Sequence, residues 1–330
     1  MKTPPLTNNY DGNERKVGLE IEYSNVPLSQ AATIVKDLFG GEIEEITDAI
    51  FKVLDTEFGD FVIELDAIPL QKIAESTRDF EGKVEESVVD ELGALIGRAA
   101  GKVGEKIAPF EIVAPPIAIS DLPKMERLRE ELAKAGAEDT KQSFRNAFGL
   151  HINPEVAALD SKYITRHIQS FLLLAPWLIK AHNIDLTRRL TNFIDPFPIS
   201  YLELVLDMSY SPDLDKLIRD YHDYNPTRNR ALDMLPLFKF INQALVTEFY
   251  GTEEKINKRP TFHYRLPNCE LANARWSFSL EWARWLIVEE LAYDEEKLFD
   301  LVNRWQNHQA QSFPLESDWV EQIDQQMQAM

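Results

Sequence analysis

Cysteine is almost absent from this chain: Cys269 is the only one in 330 residues. That excludes an intramolecular disulfide framework and any thiolate-cluster metal site. No His or acid flanks Cys269 at a spacing suited to a nucleophile, so it reads as a small core residue. No run of eighteen or more apolar residues occurs, and residues 1–10 hold no hydrophobic signal core. The expected compartment is therefore a reducing cytoplasm, with no membrane partner. Basic residues are outnumbered, 35 Lys and Arg against 55 Asp and Glu, for a net charge of −20. An extended nucleic-acid footprint or an anionic membrane surface does not suit that balance. Among the 13 glycines there is no Gly-x-x-x-x-Gly-Lys sequence, and the stretch 97–104 lacks the preceding strand a phosphate loop requires. A dinucleotide site is disfavoured as well. Internal repeats, low-complexity tracts and clear linkers are missing.

What is present is enough for a large core, because 44% of the chain is hydrophobic and its length allows one big or two ordinary domains. The acids are interspersed with bases, as in Glu126-Arg127-Leu128-Arg129-Glu130-Glu131, the pattern of a solvated helix surface. The most informative stretch is Val17-Gly18-Leu19-Glu20-Ile21-Glu22-Tyr23. Strict alternation puts Glu20 and Glu22 on one face of a strand and Leu19, Ile21 and Tyr23 on the other. Two carboxylates on one pleated face repel and raise each other's pKa, so they are stable mainly with a cation between them. A solvated outer strand face is the competing explanation.

The pattern recurs. His151 and Asn153 share one face of Phe148-Gly149-Leu150-His151-Ile152-Asn153, and His263 and Arg265 share one face of Thr261-Phe262-His263-Tyr264-Arg265. Strand-like runs at 53–57, 61–66 and 109–113 carry Asp55, Glu64 and Glu111. If these strands share a sheet, they line one acidic face to which His and Arg are added.

Around them, residues 1–15 read as a loose polar arm and Ser29–Phe39 as a short helix ended by Gly40-Gly41. Two strands are expected at about 47–66, then an insertion with helical spacing over 67–106. Ser120-Asp121 is expected to cap a helix bearing Leu122, Met125, Leu128 and Leu132. A long helical excursion covers about 158–258. Late helices follow, with Trp276, Leu280, Ala283, Trp285, Ile287 and Leu291 as buried surface. His167, His182, His222 and His308 lie in helical segments without a paired ligand and read as structural or solvated. Arg188 and Arg189, like Arg228 and Arg230, are candidates for holding a phosphate or carboxylate, with surface ion pairs as the alternative.

The chain resembles the amidoligase enzymes, distant relatives of glutamate–cysteine ligase and glutamine synthetase. The resemblance rests on Gly18-Leu19-Glu20-Ile21-Glu22, Glu111-Ile112-Val113-Ala114-Pro115-Pro116, Gly149-Leu150-His151-Ile152-Asn153 and Thr261-Phe262-His263-Tyr264-Arg265, in that order across roughly residues 15–290. Asp55-Thr56 and Asn229-Arg230-Ala231-Leu232-Asp233 resemble two further segments, with Asp233 where that family often has Asn. The resemblance implies an α+β fold: a curved antiparallel sheet of glutamine synthetase type with large helical insertions, forming a single catalytic domain over 16–330. It also implies ATP and magnesium, with manganese as a substitute, and amide formation between a carboxylate and an amine through an acyl phosphate. The partners would be small-molecule or peptide substrates.

Carried over by motif, Glu20, Glu22, Asp55, Glu111 and His151 would be metal ligands, with Glu64 an alternative to Glu111. Arg265 would contact the transferred phosphoryl group and Asn153 would complete the His strand. Arg188, Arg189 and Arg230 would assist at the nucleotide, and Glu22 and His263 would belong to the catalytic group. One departure stands out. The family's last strand carries Glu-x-Arg where this chain has His263-Tyr264-Arg265, and imidazole is a poorer magnesium ligand than carboxylate. Fewer metals, a different metal or loss of ligase activity are the possible consequences. The alternatives to a ligase are a degenerate ligand-binding member of the same fold and a metal-dependent amidohydrolase.

Overall fold

The computed structural model describes residues 2–65, 110–138, 148–184, 194–251 and 256–328. The insertion expected over 67–106 and the candidates Arg188 and Arg189 lie outside them. The chain divides into two compact units: Val17–His151 with Asn268–Ser279, and Met1–Lys16 with Ile152–Pro267 and Leu280–Met330.

The first unit is strand-rich. Its elements are β1 (Lys16–Tyr23), α1 (Leu28–Phe39), β2 (Glu42–Thr47), β3 (Ile50–Thr56), β4 (Gly59–Leu65), β5 (Phe110–Val113), β6 (Ile117–Ala118), a 3-10 helix (Ile119–Met125) and α2 (Glu126–Lys134). The strands pair antiparallel in the order β2-β3-β4-β5-β1, with β6 off this path on β1. The period-2 pattern of β1 is realised: Val17, Leu19, Ile21 and Tyr23 are buried while Glu20 and Glu22 are only partly covered. On α1 the stripe Ala31, Ala32, Val35 and Phe39 is buried, and the Phe39 ring stacks on Phe61 of β4 at 5.7 Å. Gly41 has φ +91, and a Cβ there would meet the Leu54 carbonyl oxygen at 2.3 Å. Only glycine suits so close a backbone approach.

Two local expectations are corrected here. The sequence reading does not predict β2, because its six residues are all exposed and carry no apolar face; its pairing with β3 holds it, and Lys36 of α1 meets Glu42 at 3.0 Å. Ser120-Asp121 does not cap the following helix either. The chain first makes the 3-10 segment, with Pro123 inside it, and α2 starts only at Glu126 without a side-chain cap.

The second unit is mainly helical. β7 (Leu150–Pro154) begins in the first unit and continues into this one, where it pairs with β9 (His263–Tyr264), and β9 pairs with β8 (Leu232–Asp233). With these, the described residues hold nine strands, antiparallel wherever a register is defined, in an order that does not close on itself. The helices are α3 (Ser161–Ala181), α4 (Ile199–Val205), α5 (Leu214–Tyr224), α6 (Leu235–Ile241), α7 (Gln243–Tyr250), α8 (Phe278–Tyr293), α9 (Glu295–Gln309) and α10 (Glu316–Gln328). Asp160, Asp213 and Asp294 cap α3, α5 and α9 by accepting a backbone N–H with their carboxylates, which satisfies one of the donors a helix start leaves open. None of the described helices is long and apolar enough to cross a membrane.

The stripe expected on the late helix is rotated. Trp285 and Leu291 are buried, but Leu280 is exposed and Ala283 and Ile287 only partly covered; Glu281, Trp282, Leu286, Val288 and Glu289 take the inner positions. Two acids turn inward because each meets a cation there. Arg15, at the end of the segment read as a loose arm, is fully buried and forms a fork to Glu289.

Candidate functional site

The site begins with strand register. Glu22 of β1 pairs directly with Glu111 of β5, and Glu111 pairs with Glu64 of β4. Three carboxylates therefore form one row across three strands, with Glu20 on the same face two residues along β1. Like charges directly opposed on a sheet are destabilising, so the row calls for positive charge. Glu64 was an alternative to Glu111 at the sequence level, whereas the register puts both in the same row. Partial burial raises the Glu64 carboxyl above its ordinary value, and the neighbouring Glu20 charge adds to this.

His151 supplies the fifth group. The Glu22 N–H donates to the Gly149 carbonyl at 3.1 Å, and the Gly149 N–H donates to Glu22 Oε2 at 2.6 Å. This fixes β7 against β1 and sets both the Glu22 carboxylate and the residue two positions on. His151 Nδ1 lies 2.9 Å from Glu20 Oε2 and its Nε2 lies 3.6 Å from Glu22 Oε1. Because a carboxylate only accepts, His151 Nδ1 donates to Glu20. One ligand atom each from Glu22, Glu111 and His151 lie within 4.8 Å of one another.

That donor set fits a divalent cation. Carboxylate oxygens are hard ligands suited to magnesium and manganese, and a single imidazole tilts the preference toward manganese. Glu22 groups with Glu111 and His151, and Glu20 lies against the other ring nitrogen of His151 at 2.9 Å.

One residue expected at the site, Asp55, lies away from this row. Asp55 is exposed at the end of β3, where the pairing register shifts, and has φ 55; its N–H donates to Asp60. Ile50 is the β3 partner of Glu64, so Asp55, five residues farther on, is about 15 Å away along the strand. It is not among the groups the structure gathers. In the second unit, Asn153 Oδ1 accepts from His263 Nδ1 at 2.6 Å, and both side chains are buried. Arg265 donates to the Arg228 carbonyl, and its own N–H donates to Ala231 at 2.9 Å. Arg228 in turn pairs with the fully buried Asp233 at 3.2 Å. Arg230 donates to the Pro196 carbonyl and lies over the Phe197 ring at 5.4 Å. Burial lowers its pKa. Those contacts make Arg230 a clamp on the 194–197 segment.

Sequence reasoning missed two buried ionic groups, both on α8. Arg15 makes two hydrogen bonds to Glu289, at 2.7 and 2.8 Å, and Trp285 Nε1 donates to the same carboxylate at 2.7 Å. Eight residues earlier, Glu281 Oε2 meets His182 Nδ1 at 2.5 Å, Glu281 Oε1 meets Arg284 at 2.6 Å, and His182 Nε2 meets the Tyr264 hydroxyl at 2.5 Å. An acid in the middle of the Trp-rich run 276–291 was the available signal, since an unpaired buried carboxylate is not tolerated.

Two of the comparisons with known proteins find nothing: no curated protein and no solved structure matches this chain. The third finds a family model, described as "Putative amidoligase enzyme", that matches residues 13–287. This span contains Glu22, Glu111 and His151 as well as His263 and Arg265, and it is most of the 330 residues. The chain belongs to the amidoligase family.

Proposed function

We propose that the protein is an ATP-dependent carboxylate–amine ligase, and that its fold is a divergent form of the glutamine synthetase sheet. The observation that carries the reading is the convergence of Glu22, Glu111 and His151 within 4.8 Å in a chain of the amidoligase family. Glu22, Glu111 and His151 Nε2 hold the cation, Glu64 completes the anionic row, and Glu20 keeps the imidazole in the Nδ1–H form. Magnesium held by these residues would supply positive charge to offset the negative charge that develops during phosphoryl transfer.

Phosphoryl transfer joins a substrate carboxylate oxygen to the γ-phosphorus while the bond to ADP breaks. Arg265 contacts the moving phosphoryl group, for which guanidinium geometry is suited. The amine nitrogen then bonds to the acyl carbon, and phosphate leaves with the electrons of the C–O bond. His263 accepts the proton lost by the amine. Its Nδ1–H is committed to Asn153, so Nε2 is the accepting nitrogen, and imidazole is the side chain whose ordinary pKa suits that task near neutrality.

The test is ADP release with magnesium and pooled amino acids, amines and short peptides, compared between the native protein and Glu20→Gln/Glu22→Gln. Release that needs both a carboxylate and an amine, and that disappears in the variant, is the expected result. Equal release from both proteins would exclude the proposed centre, and amide cleavage without ATP would favour the hydrolase alternative.

A further inference from the structure

β9 carries His263, with Arg265 just past its end, and it is only two residues long. Its ladder consists of Tyr264 opposite Ile152 on one side, and Tyr264 opposite Leu232 with His263 opposite Asp233 on the other. Site residues on so short a strand need another anchor if they are to be held within fractions of an ångström. Alternation turns Tyr264 away from the face that His263 uses, toward α3 and α8. There the Tyr264 ring lies 5.2 Å from Trp285 and 5.9 Å from Phe171. Its hydroxyl meets His182 Nε2 at 2.5 Å, and the opposite ring nitrogen meets Glu281. His182 and Glu281 are both almost wholly buried.

The carboxylate sets one assignment of hydrogen-bond roles along this chain of groups, beside Arg284 Nη1 at 3.2 Å from His182 Nδ1. Glu281 accepts, so His182 Nδ1 donates to it. His182 Nε2 then accepts from the Tyr264 hydroxyl. Burial would raise the Glu281 carboxyl, but its contacts with His182 and Arg284 more than reverse that and hold it below its ordinary value. Arg284, donating to Glu281 at 2.6 Å, fixes the far end to α8. The sequence Arg284–Glu281–His182–Tyr264 thus ties a two-residue strand to two long helices through directional bonds. Buried polar groups held at such short distances favour one arrangement over others.

We propose that Tyr264, His182 and Glu281 are positioning residues: they fix β9 so that His263 meets Asn153 in a single tautomer. The inference rests on the proposed function only in treating His263 as a site group. Its test needs no turnover, so it can fail or succeed independently of the ligase reading.

The experiment is long-range 1H–15N correlation spectroscopy of the histidine rings in the full chain. There are six histidines, and the His263 signals are assigned with His263→Gln. In the native protein His263 should show the fixed Nδ1–H pattern. Tyr264→Phe deletes one oxygen, and the Nδ1–H fraction of His263 should fall at least twofold, with averaging toward the Nε2–H form. Phe171→Leu removes a ring that leans on Tyr264 without touching the hydrogen bonds, so it should lower the melting temperature and leave the tautomer unchanged. His182→Gln, whose amide oxygen can still accept from the hydroxyl, should retain the native pattern. If Tyr264→Phe yields too little folded protein, His182→Leu removes the same bond from the other side. A native His263 pattern in Tyr264→Phe or in His182→Leu would overturn the proposal and leave the network a stabilising feature only. Equal tautomer loss in Phe171→Leu would overturn it too.

Discussion

Glu22 on β1 and Glu111 on β5 are direct cross-strand partners, two carboxylates facing each other on one side of an antiparallel pair, with His151 Nε2 3.6 Å from the first. Directly opposed like charges cost up to about 1 kcal/mol. Glu111→Gln should therefore leave the metal-free protein as stable as the native form, or slightly more so. Millimolar manganese or magnesium should raise the melting temperature of the native protein, and the same substitution should remove that rise. Differential scanning fluorimetry with and without metal reads both effects; a full metal-dependent rise in the variant would remove Glu111 from the centre.

Asp55 offers the complementary result. It is exposed, at the end of β3, with φ 55, a backbone conformation that glycine adopts more easily. Asp55→Gly should raise stability by a few tenths to about 1 kcal/mol. Manganese affinity, measured by calorimetry, should stay within about twofold. A tenfold loss would return Asp55 to the ligand set.

Arg15 and Glu289 form a fork with both side chains buried. Removing one member strands a charge, so Arg15→Met should cost about 3–5 kcal/mol in urea denaturation at pH 7. Arg15→Met/Glu289→Met should recover part of this. Full recovery is not expected, because the Trp285 N–H loses its acceptor. A double variant no more stable than the single one would show that the charge is not the cause.

His167 is buried against Phe262 at 5.0 Å, and burial pushes its pKa down to about 4. Glu289 and the Tyr163 carbonyl oppose that shift, while Arg15 and Arg166 reinforce it. In the unfolded chain the ring takes a proton near pH 6.5, so between that pH and about 4 the unfolded state binds more protons than the native one. Stability is therefore fully present above pH 6.5 and falls as pH drops toward 4, by roughly 3 kcal/mol for this group. The change in unfolding free energy over that window should be smaller by about this amount in His167→Phe than in the native protein. Identical pH profiles would mean that His167 is protonated in the fold.

Much of this was legible in the chain. The alternation around Glu20 and Glu22 specified β1 and its buried face, because a period of two leaves no other way to bury Leu19, Ile21 and Tyr23. The ligand-type residues of β5 and β7 were visible for the same reason. The row Glu22–Glu111–Glu64 was not, since register depends on which strands become neighbours. Nor was the contact of Glu20 with His151 Nδ1, which depends on where β7 arrives. On α8 an apolar stripe was expected at Leu280, Ala283 and Ile287. The helix instead turns Glu281 and Glu289 inward, because Arg15 and His182 come from segments distant in sequence, and no local pattern announces a partner so far away.

The most direct test of the central claim is calorimetric titration of ATP into the protein with magnesium present and then absent, repeated on Glu22→Gln/Glu111→Gln. The account predicts saturable binding that requires magnesium and disappears in the variant while the melting temperature is retained. Equal binding without magnesium, or equal binding by the variant, would contradict a nucleotide site built on the Glu22–Glu111–His151 centre.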